Sequence, residues 1–227
     1  MSRAQHTSFE DCPLPLLINE SLMWSTYLAT NMESMLSIEE LRTLSSNLRK
    51  EGLNSQQIAD ELSLSQDTIA WLLAGTKDLE KPHDTRIGWR TIGVKPKRVA
   101  AAAMIMADVA DEEVGAENID TVVGISINGI LFAHEVADEL GCEVAIHRNV
   151  DGGPGKGALS NKYGQVSGKG VIIVDDVLSS GMTMGKTIGL MKDAGADVKL
   201  CLVLVNKTAK NEIDDVPLRG VIRAVNV

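Results

Sequence analysis

Residues 171–183 read VIIVDDVLSSGMT. Four branched apolar residues, Val171 to Val174, run without alternation into two carboxylates, Asp175 and Asp176, and then into small hydroxyl and glycine residues. An unbroken apolar run of this length suits a strand covered on both faces, as in a parallel sheet flanked by helices. The residues after it suit a loop that hands over to a helix. Backbone amides in such a loop point outward and the helix dipole favours an anion there. Ser179, Ser180 and Thr183 add hydroxyl donors, Gly181 lets backbone come close to a ligand, and Met182 lies between them. The pattern is a phosphate cradle without the lysine of a GxxxxGK[ST] loop. Asp175 and Asp176 would repel that same phosphate, so their natural partners are sugar hydroxyls or a divalent cation carried by the ligand. A phosphate beside a diol describes a ribose 5-phosphate; the plain alternative is a strand-to-helix turn with exposed acids.

Outward from this stretch, strands and helices alternate. Strands are expected at 120–125, 143–147, 170–175 and 198–205, helices at 97–113, 130–140 and 184–194, and a loop at 148–168. Residues 216–226 read as a further strand pair or an edge. The predicted fold class is α/β, a doubly wound parallel sheet, whose ligands sit at the carboxyl ends of the strands. Aromatic residues make up 3% of the chain, so the core must be built from Ala, Val, Ile, Leu and Met.

Upstream, residues 1–34 form an arm without clear periodicity, and 35–76 form a small all-α domain. Residues 77–96, with Pro82 and Pro96, read as linker or edge before the α/β domain at 97–227. Ser37 and Glu40 have capping-box spacing ahead of Ile38, Leu41, Leu44 and Leu48, and Gly52 ends that helix. The stretch NSQQIADELSLSQDTIAWLLAG, residues 54–75, then gives two short helices capped by Ser55 and Ser65 around a tight Ser63-Leu64 turn, closed by Gly75. Three short helices with this turn make a helix-turn-helix pattern. Its expected DNA contacts are Ser55, Gln56, Ser65, Gln66, Thr68 and Trp71. Between 36 and 81 five Lys and Arg face eight Asp and Glu, a balance of −3, so attraction to DNA phosphates is weak for one module alone. A three-helix cap that pairs subunits is the competing reading.

The formal charge of −9 argues against a wholesale polyanion binder. Cys12, Cys142 and Cys201 lie far apart and fit a reducing, cytoplasmic setting better than disulfides or a zinc site. No apolar run is long enough for a membrane span, and Pro15, Asn19 and Glu20 spoil the N-terminus as a signal peptide. Of the four histidines, His134 reads as structural and His147, at a strand end, as a candidate ligand contact.

VIIVDDVLSSGMT resembles the 13-residue phosphoribosyl pyrophosphate (PRPP) signature of type I phosphoribosyltransferases. VVGISINGILFAHEVADELG, residues 122–141, is similar to the pyrophosphate loop of orotate phosphoribosyltransferases, with Ser126, Ile127, Asn128 and Gly129 at the loop. With the helix-turn-helix in front, the chain from residue 36 resembles the archaeal GfcR-type regulators of sugar-catabolism genes. That resemblance implies a type I phosphoribosyltransferase fold, a homodimer, a DNA operator as partner, and a pocket that senses PRPP or a related phosphorylated metabolite, with Mg²⁺ held by Asp175 and Asp176 through the ligand.

A working transferase must neutralise the leaving diphosphate and shut out water with a mobile loop. Orotate enzymes carry lysines and an Asp-His pair in that loop and a lysine in the pyrophosphate loop, where this chain has Asn128. The loop candidate, RNVDGGPGKGALSNKYGQVSGKG at 148–170, offers Arg148 for diphosphate, then Lys156 and Lys162, and no Asp-His pair. Retained phosphate sites without that loop chemistry fit a sensor. An orotate or other base phosphoribosyltransferase, Mg²⁺-dependent, with Asp175, Asp176 and Lys156 as candidate catalytic residues, is the alternative. Recognition of a base would fall to 83–96, with Trp89, or to the C-terminal residues.

Overall fold

The computed structural model describes residues 36–75, 80, 82–149, 157–160 and 162–225. The expected N-terminal arm and Lys156 lie outside the described residues. Ile38–Val227 forms one compact unit.

Three helices open it: α1 (Ile38–Lys50), α2 (Ser55–Leu62) and α3 (Gln66–Ala74). Leu44, Leu48, Ile58, Leu62, Ile69 and Leu72 are buried between them at helical spacing. Ala59, also buried, is small enough to let α2 approach its neighbour. The α2 cap is Asn54 rather than Ser55. Asn54 Oδ1 accepts from the Gln57 amide at 2.9 Å and Gln57 Oε1 accepts from the Asn54 amide at 2.9 Å, a reciprocal capping box. Ser65 caps α3 and Gly75 closes it in the left-handed conformation, φ 67°, as the pattern predicts. Inside the expected linker lies a short helix, α4 (Arg90–Gly93).

The α/β part follows as α5 (Pro96–Val114), β1 (Thr121–Ile125), α6 (Gly129–Leu140), β2 (Glu143–Asn149), β3 (Gly157–Leu159), β4 (Gly170–Leu178), α7 (Met182–Asp193), β5 (Asp197–Asn206), β6 (Glu212–Ile213) and β7 (Val216–Arg223). The sheet runs β3-β2-β1-β4-β5-β7-β6. The five central strands are parallel, and β3 and β6 close the edges as short antiparallel partners of β2 and β7. Thus the 148–168 segment is not all loop, because β3 folds back on β2, and the expected C-terminal strand pair or edge is one strand, β7, set beside β5, with the short β6 just upstream as its antiparallel partner.

The missing alternation in the strand sequences has a simple cause. Ile172 and Val174 pack with α5 and α6 through Ala103, Met106, Phe132 and Val136. Val171 and Ile173 pack on the other face with Met184, Ile188 and Met191 of α7. Every position is covered, so every position is apolar. Among the described residues no helix is long and apolar enough to cross a membrane.

Candidate functional site

β1 and β4 are hydrogen-bonded parallel neighbours, register Val123↔Ile173, so the loops at their carboxyl ends lie side by side. This is the place where open α/β sheets bind ligands. The β1 loop turns into α6 through Ser126, Ile127 and Asn128, with a cis Ser126–Ile127 peptide. Gly129 starts α6 against the end of β4. A Cβ there would stand 2.6 Å from the Val174 carbonyl oxygen and 3.0 Å from Asp175 Cα, so only glycine allows this approach. In the β4 loop Gly181 adopts φ 87° as the α7 N-cap, which turns the chain so that the first amides of the helix face the loop.

One cavity of about 70 Å³ joins these loops. Ser126, Ile127 and Asn128 form one side and Asp175, Asp176, Ser179–Gly181 and Thr183 the floor. Met182, just beyond, is 47% exposed and does not line the cavity. The remaining wall comes from the three-helix module: Gln56, Ala59 and Asp60 of α2, the Ser63–Ser65 turn, and Gln66.

The acids are held tightly. Asp176 Oδ2 accepts from Trp89 Nε1 at 2.7 Å and from Asn128 Nδ2 at 3.1 Å, and Asp175 Oδ1 accepts from the Asp176 amide at 2.9 Å. Burial pushes both carboxyls above their ordinary range, and the Asp176 charge pushes Asp175 further. Desolvation raises Asp60 to about 6, opposed by its bond from Gln56 and reinforced by Asp176, although the residue keeps an open edge to solvent. Three acceptor-rich groups therefore border one small space. No group of three or more His, Cys, Asp or Glu among the described residues could hold a metal by itself. A divalent ion here would need ligand oxygens to complete its shell, and Mg²⁺ demands six.

The expected DNA contacts are not presented as a free reading face in this arrangement. Gln66 Nε2 donates to Gln56 Oε1, and Gln56 Nε2 donates to Asp60 Oδ1 at 2.8 Å. Thr183 Oγ1 in the β4 loop donates to Gln56 Oε1 at 3.4 Å. Thr68 is 8% exposed and its hydroxyl donates to Asp84 Oδ2 at 2.9 Å, while the Ser65 amide donates to the same oxygen at 2.6 Å. Thr68 is thus turned inward, because α3 begins against the segment that carries Asp84. Ser55 Oγ accepts from Arg49 at 3.2 Å, and the Arg42 guanidinium lies 4.8 Å over the Trp71 ring.

Asp84 is the residue that sequence reasoning missed. Its carboxylate pairs with Lys207 Nζ at 2.5 Å, and the two side chains are 6% and 4% exposed. Lys207 Nζ also donates to the Ser63 carbonyl at 3.3 Å, and the Lys207 amide donates to the Leu178 carbonyl at 2.9 Å. Burial works against the Asp84 charge, but the bonds from Lys207, Ser65 and Thr68 outweigh it and hold the carboxyl below its ordinary value. A lone Asp in a Pro-flanked segment and a lone Lys after a strand carry no signal in sequence; only the fold brings them together.

Two predicted ligand contacts stand apart from the cavity. Arg148 donates to Ser160 Oγ at 3.2 Å across the β2–β3 pair and does not line the space. His147 is 1% exposed, shares a 3.2 Å hydrogen bond with Thr187 Oγ1 through Nδ1, and belongs to the core beneath. Burial holds it below the ordinary imidazole value. His134, expected to be structural, is exposed beside Glu135 at 3.8 Å. Trp89, the candidate base contact, instead bonds Asp176 and packs edge-on against Phe132, centroids 5.5 Å apart.

Residues 88–226 match the phosphoribosyl transferase domain. The chain is 37% identical over 202 residues to "Transcriptional regulator GfcR 2" of Methanosarcina barkeri, covering 85% of this chain and 100% of that one. It is 37% identical over 194 residues to "Transcriptional regulator GfcR" of Thermoplasma acidophilum, covering 83% and 96%. Among solved structures it is similar to the orotate phosphoribosyltransferase of Aeropyrum pernix, TM-score 0.51 at 20% identity, covering 65% of this chain and 83% of that one. At that identity the likeness speaks for the fold alone.

Proposed function

The chain belongs to the GfcR family of transcriptional regulators built on a phosphoribosyl transferase domain, and from that premise we propose that it is a DNA-binding regulator whose transferase-like pocket senses a phosphorylated ribose. The observation that carries this reading is the cavity shared by the 126–128 loop, the end of β4 with the 179–181 loop and the start of α7, and the three-helix module. The amides and hydroxyls of Ser179–Thr183 take the 5-phosphate, the helix dipole of α7 adding to their pull. Asp175 and Asp176 accept the ribose diol, and Ser126–Gly129 take a diphosphate where the ligand has one. Mg²⁺ enters with the ligand, supplying charge that two carboxylates and a diphosphate share.

Regulation also fits the surroundings of the pocket. A wall made by the helix-turn-helix makes occupancy felt where DNA is met, and a ligand shifts an equilibrium only through different contacts in the two states. Residues Met104 and Ile105 on α5, 54% and 53% exposed, offer an apolar surface for a homodimer, which would present two modules to a two-fold operator.

The experiment is a salt-controlled titration of the full chain against duplex from its own promoter region, with and without ribose 5-phosphate or PRPP and Mg²⁺. Expected is tighter binding than to random duplex and a change in that affinity on adding ligand. Equal binding to both duplexes under all conditions refutes the regulator. Steady production of nucleotide from PRPP and orotate or a purine would instead favour the transferase.

A further inference from the structure

The helix-turn-helix is held over the cavity by more than packing. Four polar contacts hold the end of α2 and the start of α3: Ser65 N and Thr68 Oγ1 to Asp84 and Arg86 Nε to the Leu62 carbonyl at 3.3 Å, both from the 82–89 segment, and Lys207 Nζ, after β5, to the Ser63 carbonyl at 3.3 Å. These fix the end of α2 and the start of α3, and so fix which residues of α2 face the end of β4 and the start of α7. Those residues are Gln56 and Asp60, and Ala59 between them is small. Gln56 is oriented at both ends: its carbonyl oxygen accepts from Thr183 and Gln66, and its amide donates to Asp60.

We propose that Gln56 and Asp60 are ligand-contacting residues, so that the helix-turn-helix reads the pocket's occupant directly and the element that meets DNA also selects the effector. The inference rests on the ribose-phosphate reading above and adds the residues that recognise the sugar from the opposite side. A phosphate seated on the Ser179–Thr183 loop competes with Gln56 for the Thr183 hydroxyl, because one hydroxyl proton serves one acceptor at a time. When Thr183 turns to phosphate, Gln56 Oε1 has room for a donor from the ligand. Asp60, Asp175 and Asp176 all accept, so the face of the ligand turned to them carries several hydroxyl donors. The chemistry recognised is therefore that of a phosphorylated sugar with free hydroxyls, its phosphate on the α7 side and its hydroxyl face between β4 and α2.

The test is calorimetry on the full chain with two probes, ribose 5-phosphate and inorganic phosphate. Gln56→Ala and Asp60→Asn are each expected to weaken ribose 5-phosphate by about five- to tenfold, the scale of one lost hydrogen bond, and not to weaken inorganic phosphate, which loses only a competitor for Thr183 or a neighbouring negative charge. Glu61→Gln, on the same helix but outside the cavity, leaves both unchanged. Amide exchange of the unmodified protein provides a check that needs no variant: ribose 5-phosphate slows exchange across Ser55–Leu62, and inorganic phosphate does so less. Unaltered ribose 5-phosphate affinity in both folded variants, with Asp176→Asn still abolishing binding, overturns this inference alone. No binding by the unmodified protein, or binding indifferent to Asp176→Asn, overturns the pocket reading and this inference with it.

Discussion

Replacing Lys207 by Met removes one half of a buried ion pair and leaves the other half in place. In the unmodified protein Asp84 is 6% exposed and receives three hydrogen bonds, from Lys207 at 2.5 Å, the Ser65 amide at 2.6 Å and Thr68 Oγ1 at 2.9 Å. Lys207→Met keeps the last two but strands the charge, at a cost of about 3–5 kcal/mol for breaking a buried pair from one side. The Ser63 carbonyl loses its donor as well, adding about 1 kcal/mol. Each 1.4 kcal/mol is a factor of ten, so opening of the three-helix module should become roughly a thousand- to twenty-thousandfold more frequent. The α/β core, with its own apolar clusters, is untouched by this. Hydrogen exchange measured by mass spectrometry should therefore show lost protection across Ser55–Ala74 and unchanged protection in β1, β4 and β5. The double variant Asp84→Leu with Lys207→Met, which removes both charges, should recover most of the protection, because an apolar pair of similar size often substitutes without loss. Unchanged exchange in the single variant, or a double variant as open as the single, refutes the assignment of the pair as the tether. Acid gives an independent check. Asp84 is held below its ordinary 3.8, so its contribution is complete above that pH and is lost as pH falls through the lower folded value. Docking should survive at pH 5 and loosen only under stronger acid.

Asp175→Asn and Asp176→Asn should each lower ribose 5-phosphate affinity at least tenfold, read by calorimetry, since each replaces one oxygen acceptor facing the sugar hydroxyls by an amide donor; equal affinity would place the diol elsewhere. Gly129→Ala should lower the melting temperature by several degrees, because its Cβ meets a backbone carbonyl oxygen 2.6 Å away and relief costs about 1–3 kcal/mol. Asp60 is raised to about 6, so the folded protein binds a proton there before the unfolded chain does. Its strain is therefore present above pH 6 and relieved as pH falls towards 4. Chemical denaturation across that window should show stability rising on acidification, with a smaller slope for Asp60→Asn.

Much of the fold was legible because its signals are local. Runs such as Val171–Val174 announce strands covered on both faces, and Ser65 and Gly75 bracket α3 by capping chemistry alone. β3 and β6, three and two residues long, are too short to leave a pattern. The ligand loops were legible for the same reason as the strands: strand, acids, hydroxyls and glycine follow one another in a single stretch. The opposite wall was not. Gln56 and Gln66 read as DNA contacts because an isolated helix-turn-helix leaves the polar first turns of both helices exposed, and nothing in 54–75 reveals that its turn is fastened to Asp84 and Lys207. The cap of α2 shifted by one residue because Asn54 and Ser55 are both good caps, and only Asn54 stands at the spacing that engages Gln57.

The two edges of the sheet have a consequence for assembly. Each ends in a strand of no more than three residues, antiparallel to its neighbour, so little backbone is offered to another chain for strand addition. Two copies would gain little by lengthening the sheet across a shared border, which leaves side-chain surfaces such as the exposed face of α5 to join them. In the homodimer proposed above, the separation of the two three-helix modules then depends on how helical surfaces interlock, and substitutions at Met104 or Ile105 should change that separation without touching either ligand loop.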